Sequence, residues 1–444
     1  MPGSRAIFAL VAALGLFAVF VLSGCSGSSD SAADSPSVAT STSQEATVSD
    51  GNPAPRRLLG IKWEGQAATL VRVDPRSLRT VGREAIPLGR HTSSWTFSPD
   101  GSQVALGTAE DPARLRLIDL AGMRVLGDAK LGRGSVEAAA WLSPTRLVAA
   151  VETPDRGLVL FSLDAVERRV LAREQVEGRI SDLGRLADRL VLLLSPRDTI
   201  GPSRLAVVDA EGRVEARTLD RIHAGIEIDE QSEEGIGRGR GPGLAIDAEG
   251  RRAYVVGAEE PVAEIDLDRM AVNYHSLAEP VSLLERVRNW LEPTAEAKGV
   301  SGPFRHARWL DDGLVAVSGY DDETFVDASG WHYEGTPAGL KLMIDTRDWS
   351  VRTIDEKTSE FWLVDGTLVA LDEDGAIRGY VVDGTRRFAF PGERPIGIVL
   401  TTGRYAYVFR MDNSVAVIDV GSGRILRRVK TDVQSLLAGD VIDY

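Results

Sequence analysis

The chain has 444 residues, a formal net charge of −14 at pH 7 and a single cysteine. The acidic balance argues against nucleic-acid binding, which depends on clustered lysine and arginine, and against docking on anionic lipid headgroups. One cysteine excludes an intramolecular disulfide and a metal site built from several thiolates.

The first 24 residues have the layout of a secretory signal peptide. Arg5 precedes an unbroken apolar run over residues 6–22, and the run ends in Leu22-Ser23-Gly24-Cys25. This tetrapeptide resembles the lipobox of bacterial lipoproteins. The resemblance implies that residues 1–24 are removed, that Cys25 carries lipid, and that the protein sits on the extracytoplasmic face of the cell membrane. The alternative is an uncleaved anchor, for which 17 apolar residues are at the short limit.

The next segment has the composition of a disordered tether. Residues 26–55 contain no aromatic residue and are mainly Ser, Ala, Thr, Asp, Gly and Pro. Such a segment cannot bury enough apolar surface to fold. We therefore predict a lipidated cysteine and flexible tether over residues 25–55, with an average reach of about 30 Å, and a folded body over residues 56–444.

An apolar strand that ends in aspartate recurs along the body. The first four copies (LVRVD, LRLID, LFSLD and LAVVD) follow one another at intervals of 45 residues and end at Asp74, Asp119, Asp164 and Asp209. Four further copies are spaced less evenly and end at Asp266, Asp345, Asp383 and Asp419. Each copy is followed by a turn and another strand, which indicates a repeat architecture.

A hairpin lies between successive copies, and the clearest is WTFSPDGSQVALG at residues 95–107. Pro99 and Gly101 suit the second and fourth positions of a type I turn. We name the hairpin strands a and b, and the aspartate strand and its successor c and d. Four strands every 45 or so residues is the period of a β-propeller blade, and the pattern resembles the WD40-like and YVTN-type propellers of bacteria. The fold class is thus all-β.

The ends of the body predict how the ring closes. Eight c strands but only seven a–b hairpins are present. The body opens with LLGIKW, which reads as a b strand, and the chain closes with SLLAGDVIDY, which reads as an a strand. Pairing of these ends would complete one blade and remove free sheet edges. The count favours eight blades, although seven is the commoner number.

Three insertions interrupt the repeat, at residues 220–241, 277–304 and 320–338. In a four-stranded meander the b–c and d–a connections share one end of the propeller, and all three insertions fall in such connections. We call this end the loop-rich face. Long loops gathered on one face of a rigid scaffold are where binding usually occurs.

The first insertion carries an acidic cluster of Asp229, Glu230, Glu233 and Glu234. Carboxylates of this kind can bind a hard divalent cation. No EF-hand spacing is present, so a solvated acidic loop is the simpler interpretation and no cofactor is predicted.

The third insertion combines acids with aromatic residues and contains no Lys or Arg. Such a loop can stack on and hydrogen-bond a sugar or a cationic peptide; alternatively, its rings only fix the loop to the rim. The candidate ligand-binding residues are Asp321, Asp322, Glu323, Asp327, Trp331, His332 and Tyr333.

The second insertion contains PVSLLERVRNWLEP at residues 280–293, where Ser282 and Glu285 fit a capping box and apolar residues recur on one face. These features predict a short amphipathic helix laid over the rim. Ordinary packing is its default role, with a lid or partner contact as the alternative.

No sequence motif for catalysis is found. A Gly-x-Ser-x-Gly elbow, a His-Glu-x-x-His pair and a phosphate loop are all missing, and no two of the five histidines have metal-ligand spacing. Our first hypothesis is therefore a lipid-anchored propeller that binds an envelope protein, peptide or glycan through its loop-rich face. The alternative is a propeller enzyme, hydrolase- or lactonase-like or cofactor-dependent, with an acidic site at the channel mouth. That site would require Asp or Glu from several blades to point inward.

Overall fold

The computed structural model describes residues 58–438 apart from 65–66, 90–93, 109–111, 156, 229–236, 259, 278–299, 311–312, 327–331, 344–347, 373, 393–395 and 411. Every named element in this part of the chain is a β-strand, and no helix able to cross a membrane occurs within it. The predicted signal peptide (1–24), Cys25 with its tether (25–55) and the predicted helix (280–293) lie outside the described residues.

The described strands form eight four-stranded antiparallel units, in which the strands follow one another in the order a, b, c, d. Blade 1 consists of β34 (Ser435–Ala438), β1 (Leu58–Glu64), β2 (Ala67–Val73) and β3 (Thr80–Gly89). Blade 2 consists of β4 (Trp95–Phe97), β5 (Gln103–Gly107), β6 (Ala113–Asp119) and β7 (Arg124–Gly132). Blade 3 consists of β8 (Ser135–Ser143), β9 (Arg146–Glu152), β10 (Leu158–Asp164) and β11 (Arg169–Val176). Blade 4 consists of β12 (Arg179–Arg185), β13 (Arg189–Ser195), β14 (Ile200–Asp209) and β15 (Val214–Ile228).

Two extra strands accompany the remaining blades: β16 (Gly237–Arg240) precedes blade 5, and β23 (His332–Pro337) lies within blade 6. Blade 5 consists of β17 (Gly243–Asp247), β18 (Arg252–Val256), β19 (Val262–Asp266) and β20 (Ala271–His275). Blade 6 consists of β21 (Val300–Leu310), β22 (Leu314–Val326), β24 (Leu340–Met343) and β25 (Val351–Asp355). Blade 7 consists of β26 (Thr358–Val364), β27 (Thr367–Asp372), β28 (Ile377–Val381) and β29 (Arg386–Phe390). Blade 8 consists of β30 (Ile396–Thr402), β31 (Tyr405–Arg410), β32 (Ser414–Asp419) and β33 (Arg424–Lys430).

The ring closes by pairing the two ends of the described chain, as the sequence predicts. Leu58 pairs with Ala438 and Ile61 with Ser435, so β34 supplies strand a of blade 1. Strands a of successive blades contact one another, as β12 does with β17 and β30 with β34. They therefore surround the axis.

The hydrophobic core is divided among the blade interfaces. Eight apolar clusters are found in the described residues, and each joins two neighbouring blades; one joins blades 2 and 3, and another joins blades 8 and 1. Within a blade the middle strands are the most buried: five of the seven residues of β9 are buried, whereas β11 is exposed along almost its whole length. Eight interfaces with eight cores establish an eight-bladed β-propeller.

The repeated aspartate has a structural role at the turn between strands c and d. Asp164 Oδ1 accepts hydrogen bonds from the backbone N–H groups of Val166 (3.0 Å) and Glu167 (2.9 Å). These bonds hold the pKa of Asp164 below its usual value. Contacts with the residues two and three places on recur at Asp74, Asp119, Asp266 and Asp419, and Asp209 accepts from the N–H groups of Glu211 and Arg213.

The turn also fixes the residue four places after the aspartate in a left-handed conformation. Leu78, Met123 and Met270 have φ of 53°, 45° and 52°, which is uncommon for residues other than glycine. All three side chains are buried in the core. Packing between blades therefore compensates the strain at these positions.

Most outer strands are irregular where they pair with strand c. In seven of the eight blades the register between c and d shifts at a bulge, as between Ser162 and Leu163 in blade 3. Bulges of this kind bend and twist an edge strand.

Candidate functional site

Segments of the insertions pair with one another at the loop-rich face. The start of β14 pairs with β15, and the end of β15 pairs with β16. Gly237 and Arg238 of β16 then run parallel to Val300 and Ser301 of β21, beyond which follow β22 and β23. The result is one continuous sheet in the order β14-β15-β16-β21-β22-β23, which we call the cap sheet. It joins blades 4 and 6 across blade 5.

The candidate ligand-binding residues of the third insertion belong in part to this sheet. Asp321, Asp322 and Glu323 lie in β22, and His332 and Tyr333 lie in β23, where they pair with the end of β22. Asp327 and Trp331 lie outside the described residues, as does the whole acidic cluster of the first insertion, Asp229, Glu230, Glu233 and Glu234.

Asp321 is committed to a structural contact. The guanidinium of Arg305, which is 10% exposed, donates to the Asp321 carboxylate and to the Tyr320 carbonyl. Arg305 lies on β21, so the ion pair fixes the base of the β22–β23 hairpin to strand a of its own blade. The cation that neutralises Asp321 thus comes from outside the insertion.

Glu260 is the centre of a second polar cluster beneath the cap sheet. It lies in the b–c connection of blade 5, and its side chain is 11% exposed. It accepts hydrogen bonds from the His223 backbone N–H (3.2 Å), from His223 Nδ1 (3.0 Å) and from Arg240 Nη1 (3.3 Å). His223 belongs to β15 and Arg240 to β16. One carboxylate therefore anchors two cap strands to blade 5.

Gly257 leaves room for this carboxylate, because a Cβ at that position would lie 2.2 Å from Glu260 Oε2. The crevice around the cluster is lined by His223, Arg240, Gly241, Pro242, Gly257, Ala258, Glu260 and Pro303, and it encloses no space for a small molecule.

Replacing Glu260 by alanine is expected to loosen the cap sheet while the ring stays intact. The change leaves His223 and Arg240 without their shared acceptor, and exposed sheet segments open locally at low cost in free energy. Hydrogen exchange of residues 223–228 and 237–241 should rise at least about tenfold, a change of about 1.4 kcal/mol. Glu264→Ala, which removes a carboxylate from the same blade outside the cluster, is the matched control. Unchanged exchange in Glu260→Ala would mean that Glu260 does not anchor the sheet.

Carboxyl groups also line the axial channel. Burial raises the pKa of Glu137 on β8 to about 7, and it raises the pKa of Asp182 on β12 and of Glu360 on β26. Asp182 accepts hydrogen bonds from the backbone N–H groups of Leu183 and Leu244, both at 2.8 Å. Glu137 and Glu360 belong to blades 3 and 7, which are opposite each other in an eight-bladed ring. The carboxyls therefore come from three different blades.

His306 on β21 faces the same channel. Solvent reaches its side chain, but protein atoms surround it closely. Desolvation by these atoms, together with the charges of Arg308 and Arg305, lowers its pKa to about 4. The imidazole is thus neutral at physiological pH. No cluster of three or more His, Cys, Asp or Glu side chains arranged to hold a metal ion is found in the part of the chain that the structure describes.

Solved structures with the same architecture include dihydro-heme d1 dehydrogenase NirN in complex with DHE, at 14% identity and a TM-score of 0.54 over 88% of this chain and 76% of that one. The computationally designed Ika8 protein is similar at 12% identity and a TM-score of 0.47, over 80% of this chain and 90% of that one. BamB from Moraxella catarrhalis has 12% identity and a TM-score of 0.36, over 84% of this chain and 85% of that one. No family model matches the sequence, and no curated protein matches it. The likeness to NirN at this identity extends to the fold, which is that of a β-propeller.

Proposed function

We propose that the protein is a lipid-anchored binding module outside the cytoplasm, which recognises a protein or peptide partner through the cap sheet. The observation that carries this proposal is the pairing of the insertions. Segments that lie far apart in the chain form one sheet at one end of the ring, while the opposite end keeps short turns. A propeller needs no such sheet to close.

The form of the surface favours a macromolecular partner over a small ligand. The crevice under the cap sheet is shallow and already filled by the Glu260 contacts. By contrast, the sheet presents the adjoining strands β15, β16, β21, β22 and β23, which suits a protein interface. A glycan bound on the same surface is the alternative occupant.

The charge of the hairpin favours a partner with basic groups. Residues 321–334 carry five acids and no Lys or Arg in the sequence; Arg305, which pairs with Asp321, lies outside this segment. Complementary charge across an interface speeds association and selects partners.

Replacing residues 322–336 by an Asn-Gly turn is expected to abolish partner capture. The replacement joins Asp321 to Pro337 and so keeps both the Arg305 ion pair and the pairing of Tyr320 with Pro337. Proteins that crosslink to the wild type in intact cells and copurify with it should be lost. The double variant Glu211→Gln/Glu249→Gln, which removes acids from turns at the opposite end, should keep them. Capture that survives the hairpin replacement would exclude the cap sheet as the binding surface.

The membrane attachment is proposed from Cys25 and the segment before it. Cys25→Ser is expected to move the protein from the membrane fraction to the soluble extracytoplasmic fraction, because no sulfur would remain to carry lipid. Fractionation with a tag after residue 444 measures this. An unchanged membrane fraction would point to residues 6–22 as an uncleaved anchor.

A further inference from the structure

Charged side chains lie together at the loop-rich end of the channel, between blades 3 and 4: the arginines Arg179 and Arg197 and the acids Glu137, Glu152, Asp155 and Asp198. Glu137 is near the start of β8 and Arg179 begins β12, while Glu152 ends β9 and Arg197 follows β13. Strands a begin at this end and strands b finish there. These groups therefore meet at the channel mouth, beside the start of β14 in the cap sheet.

One donor nitrogen of Arg197 is not used in a hydrogen bond to the described residues at the channel mouth. It donates from Nη1 to Glu152 Oε1 (2.9 Å) and from Nε to the Gly178 carbonyl (3.2 Å), but its Nη2 is buried and has no hydrogen-bond partner among the described residues. Burial lowers the pKa of Arg179, and repulsion from Arg197 adds to the effect, whereas Glu152, Glu137 and Asp198 oppose it. Two guanidinium groups close enough to repel, with an unpaired nitrogen on Arg197, form the kind of donor set that binds an oxyanion.

Glu137 is placed to respond to an anion at this point. It is the extra residue of a bulge, because Val136 pairs with Val151 and Ala138 with Ala150. The charged groups that face it are Glu152 on β9 and Arg179 on β12, and the Ser135 hydroxyl on its own strand hydrogen-bonds to it. Strand β4, which packs on the other side, has no charged residue.

We propose that Arg179 and Arg197 form a binding site for an anionic group of the carboxylate or sulfate type, and that its occupation is coupled to the uptake of one proton by Glu137. The incoming negative charge takes the place of the Glu137 carboxylate beside Arg179. The carboxylate is then repelled by the anion and by Glu152, so it takes a proton from solvent and becomes a neutral acid.

The coupling has a defined sign. The free carboxyl has a pKa of about 7, so it is mostly protonated at pH 6 and mostly charged at pH 8. Binding at pH 8 must be accompanied by proton uptake, whereas at pH 6 the proton is already in place. For one proton and this pKa, affinity should fall about tenfold between pH 6 and pH 8.

Equilibrium dialysis with radiolabelled sulfate tests the proposal, because sulfate keeps its charge throughout this range. The wild type should bind sulfate about tenfold more weakly at pH 8 than at pH 6. Glu137→Gln should bind at both pH values as the wild type does at pH 6. Arg179→Gln and Arg197→Gln should each lose at least about tenfold in affinity. Arg169→Gln, which removes an exposed arginine from the outer strand of blade 3, should bind as the wild type does.

A second arm separates the two sources of the anionic group. If the site takes a peptide carboxylate, triglycine with a free terminal carboxylate should compete with sulfate, and triglycine amide should not. If neither peptide competes, the site is restricted to small inorganic anions.

Sulfate binding that survives in both arginine variants, or a tenfold pH dependence that persists in Glu137→Gln, would overturn the proposal. Because Glu137→Gln keeps all four strands of its blade, the pH dependence of its sulfate binding can be measured even if an arginine variant fails to fold. The hairpin replacement at 322–336 should leave sulfate binding unchanged, which keeps this test separate from that of partner capture.

Discussion

Removal of residues 435–444 is expected to lower the Tm by at least about 10 °C or to leave the protein insoluble. The truncation deletes β34 and with it Leu436 and Leu437, which are 3% and 2% exposed. Leu436 belongs to the core between blades 8 and 1, and Leu437 to the core between blades 1 and 2. Loss of a buried leucine typically costs about 2–5 kcal/mol, and here two interfaces lose one each. Strand β1 also loses its hydrogen-bonded neighbour along the axis.

The matched control for this truncation is removal of residues 439–444 alone, which retains β34 and should leave the Tm within about 1 °C. If the longer truncation gives only aggregates, Leu437→Ala keeps the strand pairing and should still lower the Tm by several degrees, since it removes about 2–4 kcal/mol of packing. Thermal unfolding by circular dichroism measures all three. A truncation to residue 434 that unfolds at the wild-type temperature would contradict closure by β34.

Replacing Glu137 by glutamine is expected to stabilise the protein at pH 8 and to have little effect at pH 4. The folded-state pKa of about 7 lies above the ordinary glutamate value of 4.5, so the folded protein binds this proton more tightly than the unfolded chain does. The carboxyl therefore costs nothing below pH 4.5. The destabilisation caused by the ionised carboxylate grows as the pH rises from 4.5 to about 7, and it stays constant at higher pH. The difference corresponds to roughly 3 kcal/mol at pH 8.

Chemical denaturation at pH 4 and pH 8 measures the effect of Glu137→Gln, with Glu174→Gln on exposed β11 as the control expected to change neither value. Equal stability of wild type and Glu137→Gln at pH 8 would contradict a raised pKa in the folded state. A residue that destabilises the protein at neutral pH and lies at a channel mouth is typical of a functional site.

The blade arrangement could be predicted because one chemical requirement recurs along the chain. The turn after a c strand needs a side-chain acceptor for two backbone N–H groups, and aspartates such as Asp74 and Asp164 provide it. The residue type therefore repeats at the blade period. The SPDG turn could be predicted for the same reason, since the Gly101 backbone N–H donates to the Ser98 carbonyl at 2.8 Å. Unpaired strands at both ends then predicted the closure that β1 and β34 make.

The cap sheet could not be predicted, because its pairings are non-local and follow no repeat. Arg238 pairs with Ser301 across an intervening blade, and no local pattern specifies that register. The anchor Glu260 is one of two adjacent glutamates in a short connection, which gave it no distinguishing signal. Glu137 had a weak signal, a single acid in the apolar strand SVEAAAWLS, but its bulge is visible only in three dimensions. The amphipathic helix at 280–293 and the tether stay predictions.

The bulges of the outer strands affect whether protein molecules associate with one another at high local concentration. Apart from the end of β15 that pairs within the cap sheet, the outer side of each strand d has no partner within the described sheets, so the ring presents eight potential templates for association with other chains. Regular edges of this kind pair readily with each other and lead to aggregates. A shift of register in seven of the eight blades breaks the even row of donors and acceptors that such pairing requires. The irregularity that disrupts the last pairing in seven blades should therefore keep neighbouring molecules apart when they are concentrated on a surface.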